Sequence, residues 1–272
     1  MSQTARARSS ASASSGCRVS ALVSTYNAAR FIRGCLEDLV QQTLFQQGQL
    51  EIVVINNGSQ EAEEAMMHEF QARYPRMVYE KTLQRETLYA AWNRGLAMAS
   101  GQYLTNANTD DRHRPDALER LARELDERNV GLVYGDSLAT RHPNETFARN
   151  RAEWVLRWPD FSLRQFLLGH LCGAQPMWRR SAHEAVGLFD PQFIVAGDLD
   201  FFLRLTARFG GYHVREILGL YLKDVGLESR HAEACREETA RVLRYHRTTT
   251  PLEAIYPWLR ENLATAAARA AA

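Results

Sequence analysis

The sequence predicts an α/β domain with a Rossmann-like, mostly parallel central sheet, helices on both faces and extra helices at the C-terminal end. Three observations carry this. Short apolar, β-branched runs alternate with longer segments whose apolar residues recur at helical spacing. The runs lack polar alternation, as strands covered on both faces do. The early runs also stop in clusters of turn formers, where a parallel sheet needs a sharp exit into the next helix.

The elements follow in order. Val19 to Val23 reads as a strand ending in Ser24, Thr25, Tyr26 and Asn27. Ile32, Cys35, Leu36, Leu39 and Val40 form one helical face, and Ile52 to Ile55 is a second strand, stopped by Asn56, Asn57, Gly58 and Ser59. A helix over 61–74 should turn Ala65, Met66 and Phe70 inward. Leu88, Ala91, Trp92 and Gly95 mark another helix, which leads to a strand over 102–105. Pro115 suits a helix start, and Leu118, Leu121, Ala122 and Leu125 supply its stripe before a strand over 130–134.

The later chain is less regular. It is aromatic between Trp154 and Phe166, with helices expected over 182–186, 199–209, 232–245 and from Leu252 to the end. The corresponding division is a disordered leader (1–16), a first half (17–137), a second half of the same domain (138–227) and a helical extension (228–272).

Composition removes several classes of function. The 272 residues carry 33 Lys+Arg against 32 Asp+Glu, so no broad basic face exists to neutralise a nucleic acid, though a local pocket for one or two phosphates stays open. Cys17, Cys35, Cys172 and Cys235 are scattered, without the clustering of a zinc site. No run reaches the roughly 18 apolar residues of a membrane span, and the leader has no apolar signal region. A cytoplasmic location is expected.

Ligands of open parallel sheets bind beyond the carboxyl ends of the strands. Three polar clusters fall there: 24–27, 56–59, and Asn106 to Asp111 with its adjacent carboxylates Asp110 and Asp111. Neighbouring carboxylates repel and call for a cation or basic neighbours. There is no G-x-G-x-x-G after the first strand and no G-x-x-x-x-G-K-[ST] anywhere, so any bound diphosphate needs neutralising by other means. Mg²⁺ or Mn²⁺ held on carboxylates suits that task.

The runs 19–27 and 52–59, then Ala91-Trp92-Asn93-Arg94-Gly95-Leu96, then Gly101-Gln102-Tyr103-Leu104, resemble glycosyltransferase family 2 with the GT-A fold, over roughly Arg18 to Asp224. The resemblance implies an inverting transferase that uses a nucleoside-diphosphate sugar and a divalent cation. Thr25, Tyr26, Asn27, Asn56 and Asn57 would then meet the nucleoside, with Arg85 and Asn93 on the donor side. Asn108-Thr109-Asp110 stands at the D-x-D motif. Asp110 would hold Mn²⁺ or Mg²⁺, while Asn108 or Asp111 meets ribose or completes the coordination. Two departures stand out, Asn56 and Asn108 replacing the usual aspartates. Asparagine accepts hydrogen bonds but brings no charge.

In the second half, Gly197 to Arg204 resembles the family's E-D motif, which makes Asp198 the general base; an Asp there is also an ordinary helix cap. Asp200 lies too far round the helix to share that site. Gln175, Trp178 and Lys223 are placed on the acceptor side, Trp178 as a sugar platform or a core residue. Asp224 stands where many relatives carry a late histidine. His170, His183 and His213 read as structural. The acceptor is a carbohydrate or a lipid-linked one. The aromatic stretch and C-terminal helices leave open peripheral membrane association or a homodimer. Two other readings are weighed: a nucleotidyltransferase, which lacks its basic phosphate loop here, and a nucleotide-sugar-binding pseudoenzyme, which the asparagines favour and the retained Asp110, Asp111 and Asp198 oppose.

Overall fold

The computed structural model describes residues 16–169, 172–224 and 226–256. The expected leader, His170 and most of the final helix lie outside them.

The first half alternates as the sequence implies. Strand β1 (Val19–Thr25) is followed by α1 (Ala29–Val40) and the short α2 (Thr43–Gln46), then β2 (Leu50–Asn56), α3 (Glu63–Arg73) and β3 (Val78–Lys81). Helix α4 (Leu88–Met98) leads to β4 (Tyr103–Asn106). β1 pairs in parallel with β2, Val19 opposite Leu50 through Thr25 opposite Asn56, and with β4 on its other side. Successive side chains therefore enter two cores. Val19, Ala21, Val23, Ile52 and Val54 pack on one face with α1, whereas Leu22, Val53 and Ile55 pack on the other with Tyr89 and Trp92 of α4.

Helix α3 departs from the expected stripe. Met67 and Phe70 are buried, but Ala65 is exposed. The cause is Glu63, whose buried carboxylate accepts the Ala28 N–H at 2.7 Å and fixes the rotation of the helix.

The second half comprises β5 (Arg112–His113), α5 (Ala117–Glu127), β6 (Leu132–Thr140), β7 (Trp154–Leu156), α6 (Leu163–Leu167) and β8 (Met177–Arg179). It continues with α7 (Ala182–Val186), α8 (Gly197–Phe209), β9 (Gly211–Leu222), α9 (Leu227–Arg230), α10 (Ala232–Thr249) and α11 (Leu252–Ile255). The sheet runs β3-β2-β1-β4-β8-β6-β9-β5, with β7 on β6. β8 lies antiparallel between β4 and β6, while β6 and β9 are parallel, so the sheet is parallel in its first half and mixed in its second. β5, β7 and β8 are too short for periodicity to register.

Leu36 is fully buried, whereas Leu83 stands wholly exposed in the loop after β3. Leu36→Ala should cost about 2–5 kcal/mol in urea unfolding, and Leu83→Ala less than about 0.5 kcal/mol. Equal losses would contradict the assignment of the core.

Candidate active site

The ends of β1 and β2 are knotted together by hydrogen bonds. Asn57 N–H donates to Thr25 O (2.8 Å), Asn27 N–H to Ser59 Oγ (3.1 Å), and Gln60 N–H to Asn27 Oδ1 (2.9 Å). Asn27 takes φ 47°, a left-handed conformation that asparagine tolerates. Gly58, at φ 70°, lies so close to the Gln84–Arg85 backbone that a Cβ would come within 2.9 Å of it. The loop after β3 is thereby drawn over the strand ends.

Asn56 and its neighbour Asn57 are both fully engaged. Asn56 accepts from Ser59 N–H (3.0 Å) and donates to Tyr79 Oη (3.1 Å). Asn57 accepts from Glu86 N–H (2.7 Å) and donates to Glu86 O (2.9 Å). A carboxylate could not donate, so these amides fasten the loop. Asn56, Asn57 and Thr25 are buried, which corrects their expected role as direct nucleoside contacts: their side chains shape the floor. The open groups are half-buried Tyr26 and exposed Arg85, whose guanidinium lies 4.1 Å from the ring centre. Asn93 is corrected as well. Its amide binds both the N–H and the carbonyl of Phe189, joining α4 to the segment before α8.

At the end of β4 the two carboxylates part company. Asp111 is buried, accepting from Asn108 Nδ2 (3.0 Å) and from Leu222 N–H at the end of β9 (3.1 Å). Burial, and then the neighbouring Asp110 charge, push its carboxyl well above the usual range. Asp111 therefore ties the loop, in place of its expected role as a cation ligand. Asp110 is half-buried, and burial raises its pKa against the opposing pull of Arg112, Arg230 and Arg30. The Arg112 guanidinium is buried behind the loop, donating to Thr109 O and Asp111 O, with Nη2 unpartnered. Among the described residues no group of three or more Asp, Glu, His or Cys stands ready as a cation cage. What fits is a smaller oxygen set, Asp110 with the Asn108 carbonyl oxygen, as Mg²⁺ and Mn²⁺ accept when phosphate and water fill the remaining positions.

Asp198 sits in the first turn of α8, its Oδ1 accepting from Leu199 N–H (2.8 Å) and lying 3.2 Å from the Tyr89 hydroxyl. Tyr89 also hydrogen-bonds the Val195 carbonyl. Gly197 allows the approach, since a Cβ there would meet the Tyr89 ring at 2.7 Å. Burial pushes Asp198 up to about 6, with exposed Glu228 adding to the rise.

Two residues overlooked in the sequence hold this turn. One is Tyr89. The other is Glu238 of α10, buried, whose carboxylate accepts from the N–H groups of Ile194 (2.9 Å), Val195 (2.8 Å) and Ala196 (3.0 Å). Asp200 faces away from Asp198, bonded to Arg204 (2.9 Å) and His246 (2.8 Å). Neither α10 contact is legible in the sequence, because a helix 40 residues downstream gives no local sign of what it caps.

Glu228 raises the pKa of both Asp198 and Tyr221, and Asp111 and Asp110 also raise Tyr221. On the acceptor side, Lys223 is exposed, its ammonium 4.9 Å from the Trp154 ring centre. Trp178 is fully buried among His183, Phe189, Phe201 and Phe202, which makes it core rather than platform. Gln175 is buried and donates to Arg112 O (2.8 Å), a correction to its expected acceptor contact. His183 binds Trp178 Nε1–H and Gly187 O, and burial lowers it to about 4. His213 lies between Asp136 and Asp160. Both are structural.

The model of glycosyl transferase family 2 matches residues 20–187, and the chain belongs to that family. It is similar to the glycosyltransferase GlyA of Streptococcus pneumoniae serotype 4, 31% identical over 121 residues; these make up 44% of this chain and 16% of GlyA, so the chain spans a small part of that relative. Among solved structures it resembles S. aureus TarS 1-349 in complex with UDP-GlcNAc, with a TM-score of 0.68 and 16% identity, covering 89% of this chain and 71% of that one. The mannosyltransferase PcManGT from Pyrobaculum calidifontis, in complex with GDP-Man and Mn²⁺, gives a TM-score of 0.60 and 18% identity, covering 92% and 75%. These likenesses establish the GT-A fold.

Glu238→Ala should lower stability by about 1.5–3 kcal/mol in urea unfolding, because three backbone N–H groups lose a charged acceptor. A midpoint equal to that of the unmodified protein would show that this contact contributes nothing.

Proposed function

We propose that the protein transfers a sugar from a nucleoside-diphosphate donor to an acceptor hydroxyl with inversion, Asp198 acting as general base. The observation that carries the reading is Asp198 itself. It is a carboxylate set at the head of a helix, raised to about 6 by burial, and it shares a neighbourhood with the Asp110 loop. A base whose pKa lies near working pH accepts a proton readily and is still ionised most of the time. Tyr89 and Leu199 N–H fix its Oδ1, leaving Oδ2 for the acceptor proton.

The donor side has a different task. The leaving diphosphate gathers negative charge as the anomeric bond breaks, so positive groups placed beforehand lower the barrier. Arg30, Arg112 and Arg230 bring that charge to the Asp110 loop. Asp110 and Asn108 would hold Mn²⁺ or Mg²⁺, which when bound supplies Lewis-acid stabilisation of the departing phosphate. Tyr26 and Arg85 would flank the nucleoside. The single carboxylate on the acceptor side fits one displacement without a covalent enzyme intermediate. The printed ligands of TarS and PcManGT, a nucleotide sugar in each and Mn²⁺ in one, support this reading of the donor and cation. Four free thiols accord with a reducing, cytoplasmic setting. No described helix is long and apolar enough to cross a membrane.

The base must be deprotonated to work, so transfer should be half-maximal near pH 6, approach its full rate about one unit higher and fall about tenfold per unit well below pH 6. Asp198→Asn should reduce transfer by at least about 10²-fold while nucleoside-diphosphate affinity, followed by calorimetry, stays within twofold of its original value. Undiminished turnover of a donor panel by this variant would leave Asp198 a helix cap.

A further inference from the structure

With Trp178 and Gln175 in the core, the acceptor must be recognised by other groups, and the sheet register shows which are available. β6 carries Ala139 opposite Tyr221 of β9 on one side and opposite Trp154 of β7 on the other. Residues in register across neighbouring strands project to the same face. On the far side of β9, the pairing of Arg112 with Leu220 leads directly into Asp111, whose carboxylate takes the Leu222 N–H. One row therefore crosses the sheet from the acidic loop through Tyr221 and Ala139 to Trp154. At roughly 4.8 Å per strand, Trp154 stands about 10 Å from Tyr221, a distance of one to two sugar rings.

Just past the ends of these strands stand Arg141 and Lys223. Both lean on the Trp154 ring, their charged groups 4.4 and 4.9 Å from its centre. Arg141 is also paired with Glu153 (3.1 Å) and Asp224 (3.0 Å). Lys223 has no ion pair among the described residues. Trp154 remains 38% exposed beneath these cations, so part of the indole is open to solvent. Large aromatics left open beside polar groups mark recognition surfaces. The hairpin from 141 to 157 adds four arginines against two glutamates.

We propose that Trp154 and Tyr221, with Lys223 beside the indole, form the acceptor subsite, and that it takes a carbohydrate bearing a carboxylate or phosphate. The inference rests on the transferase reading above. Trp154 covers the apolar face of an acceptor ring, and Lys223 turns from the indole to the anionic substituent, so the cation–π contact stores the ammonium where it is needed. Ala139, fully buried between the two aromatics, sets their spacing.

Three probes test this: a glucuronate-bearing tetrasaccharide, the same tetrasaccharide with its carboxyls reduced to alcohols, and a polyol-phosphate oligomer. Binding is followed by saturation-transfer NMR and calorimetry in the presence of UDP or GDP with Mn²⁺. At least one anionic probe should bind tenfold or more tighter than the neutral one, and which one does separates carboxylate from phosphate. Trp154→Ala should weaken every probe at least tenfold, with Trp154→Phe restoring most of the loss. Lys223→Met should bring anionic and neutral probes within about twofold of each other. Nucleotide affinity should be unchanged in all three variants. If the unmodified protein binds nucleotide but no anionic probe, or if Trp154→Ala binds them equally well, the subsite is wrong. Failure to bind any nucleotide would instead refute the transferase reading on which it rests.

Discussion

The hydrogen bond from Leu222 N–H to Asp111, spanning 111 residues, is the constraint on which the rest of the site depends. Asp111 is buried with its second oxygen held by Asn108. This carboxylate is fastened inward, while its neighbour Asp110 stays half-buried. The same bond brings the end of β9, with Tyr221 and Lys223, beside the end of β4. A loop of the first half and a strand of the second are thus made into one wall. Burying that carboxyl is costly, and two hydrogen bonds with the Arg112 charge behind it offset only part of the cost, so its pKa stays raised.

A second tie does the same for the opposite wall. Glu238 of α10 collects the backbone N–H groups ahead of α8, and His246 of the same helix reaches Asp200. The turn that carries Asp198 is therefore clamped from behind, while Tyr89 holds it from below. This gives the helical extension a definite structural part in the domain: it fixes the turn that carries Asp198. The division of charge follows. Asp111, Asp200 and Glu238 are bonded through both oxygens, whereas Asp198 is held through Oδ1.

Much of this was legible in the sequence. The alternation of apolar runs with helical stripes located β1, α1, β2, α4 and α5, and the turn formers marked the loops at which the site is built. Asp110 lies in the loop after β4 and Asp198 in the first turn of α8. The remainder was hidden for physical reasons. Asn56, Asn57 and Asn93 read as ligand contacts because a polar residue beyond a strand looks alike whether its amide meets a ligand or a neighbouring loop. Trp178 lay in a strand of three residues, too short to show which side it faced. Met67 replaced Ala65 on α3 because Glu63, a charge, set the helix rotation from inside. Glu238 acts through the tertiary fold alone, and Trp154 gains its meaning from a cross-strand register that local spacing does not encode.

The central claim is that the Asp110 loop and the Asp198 turn border one cleft that receives a nucleotide and its cation. Paramagnetic broadening by Mn²⁺ added with UDP or GDP tests it directly, read on the backbone amide resonances of the isotopically labelled protein. The account predicts nucleotide-dependent broadening confined to the neighbourhoods of Asp110, Tyr221 and Asp198, and its loss in Asp110→Asn. Broadening that reaches Asp110 but spares Asp198 and Tyr221, or that survives the substitution, would contradict it.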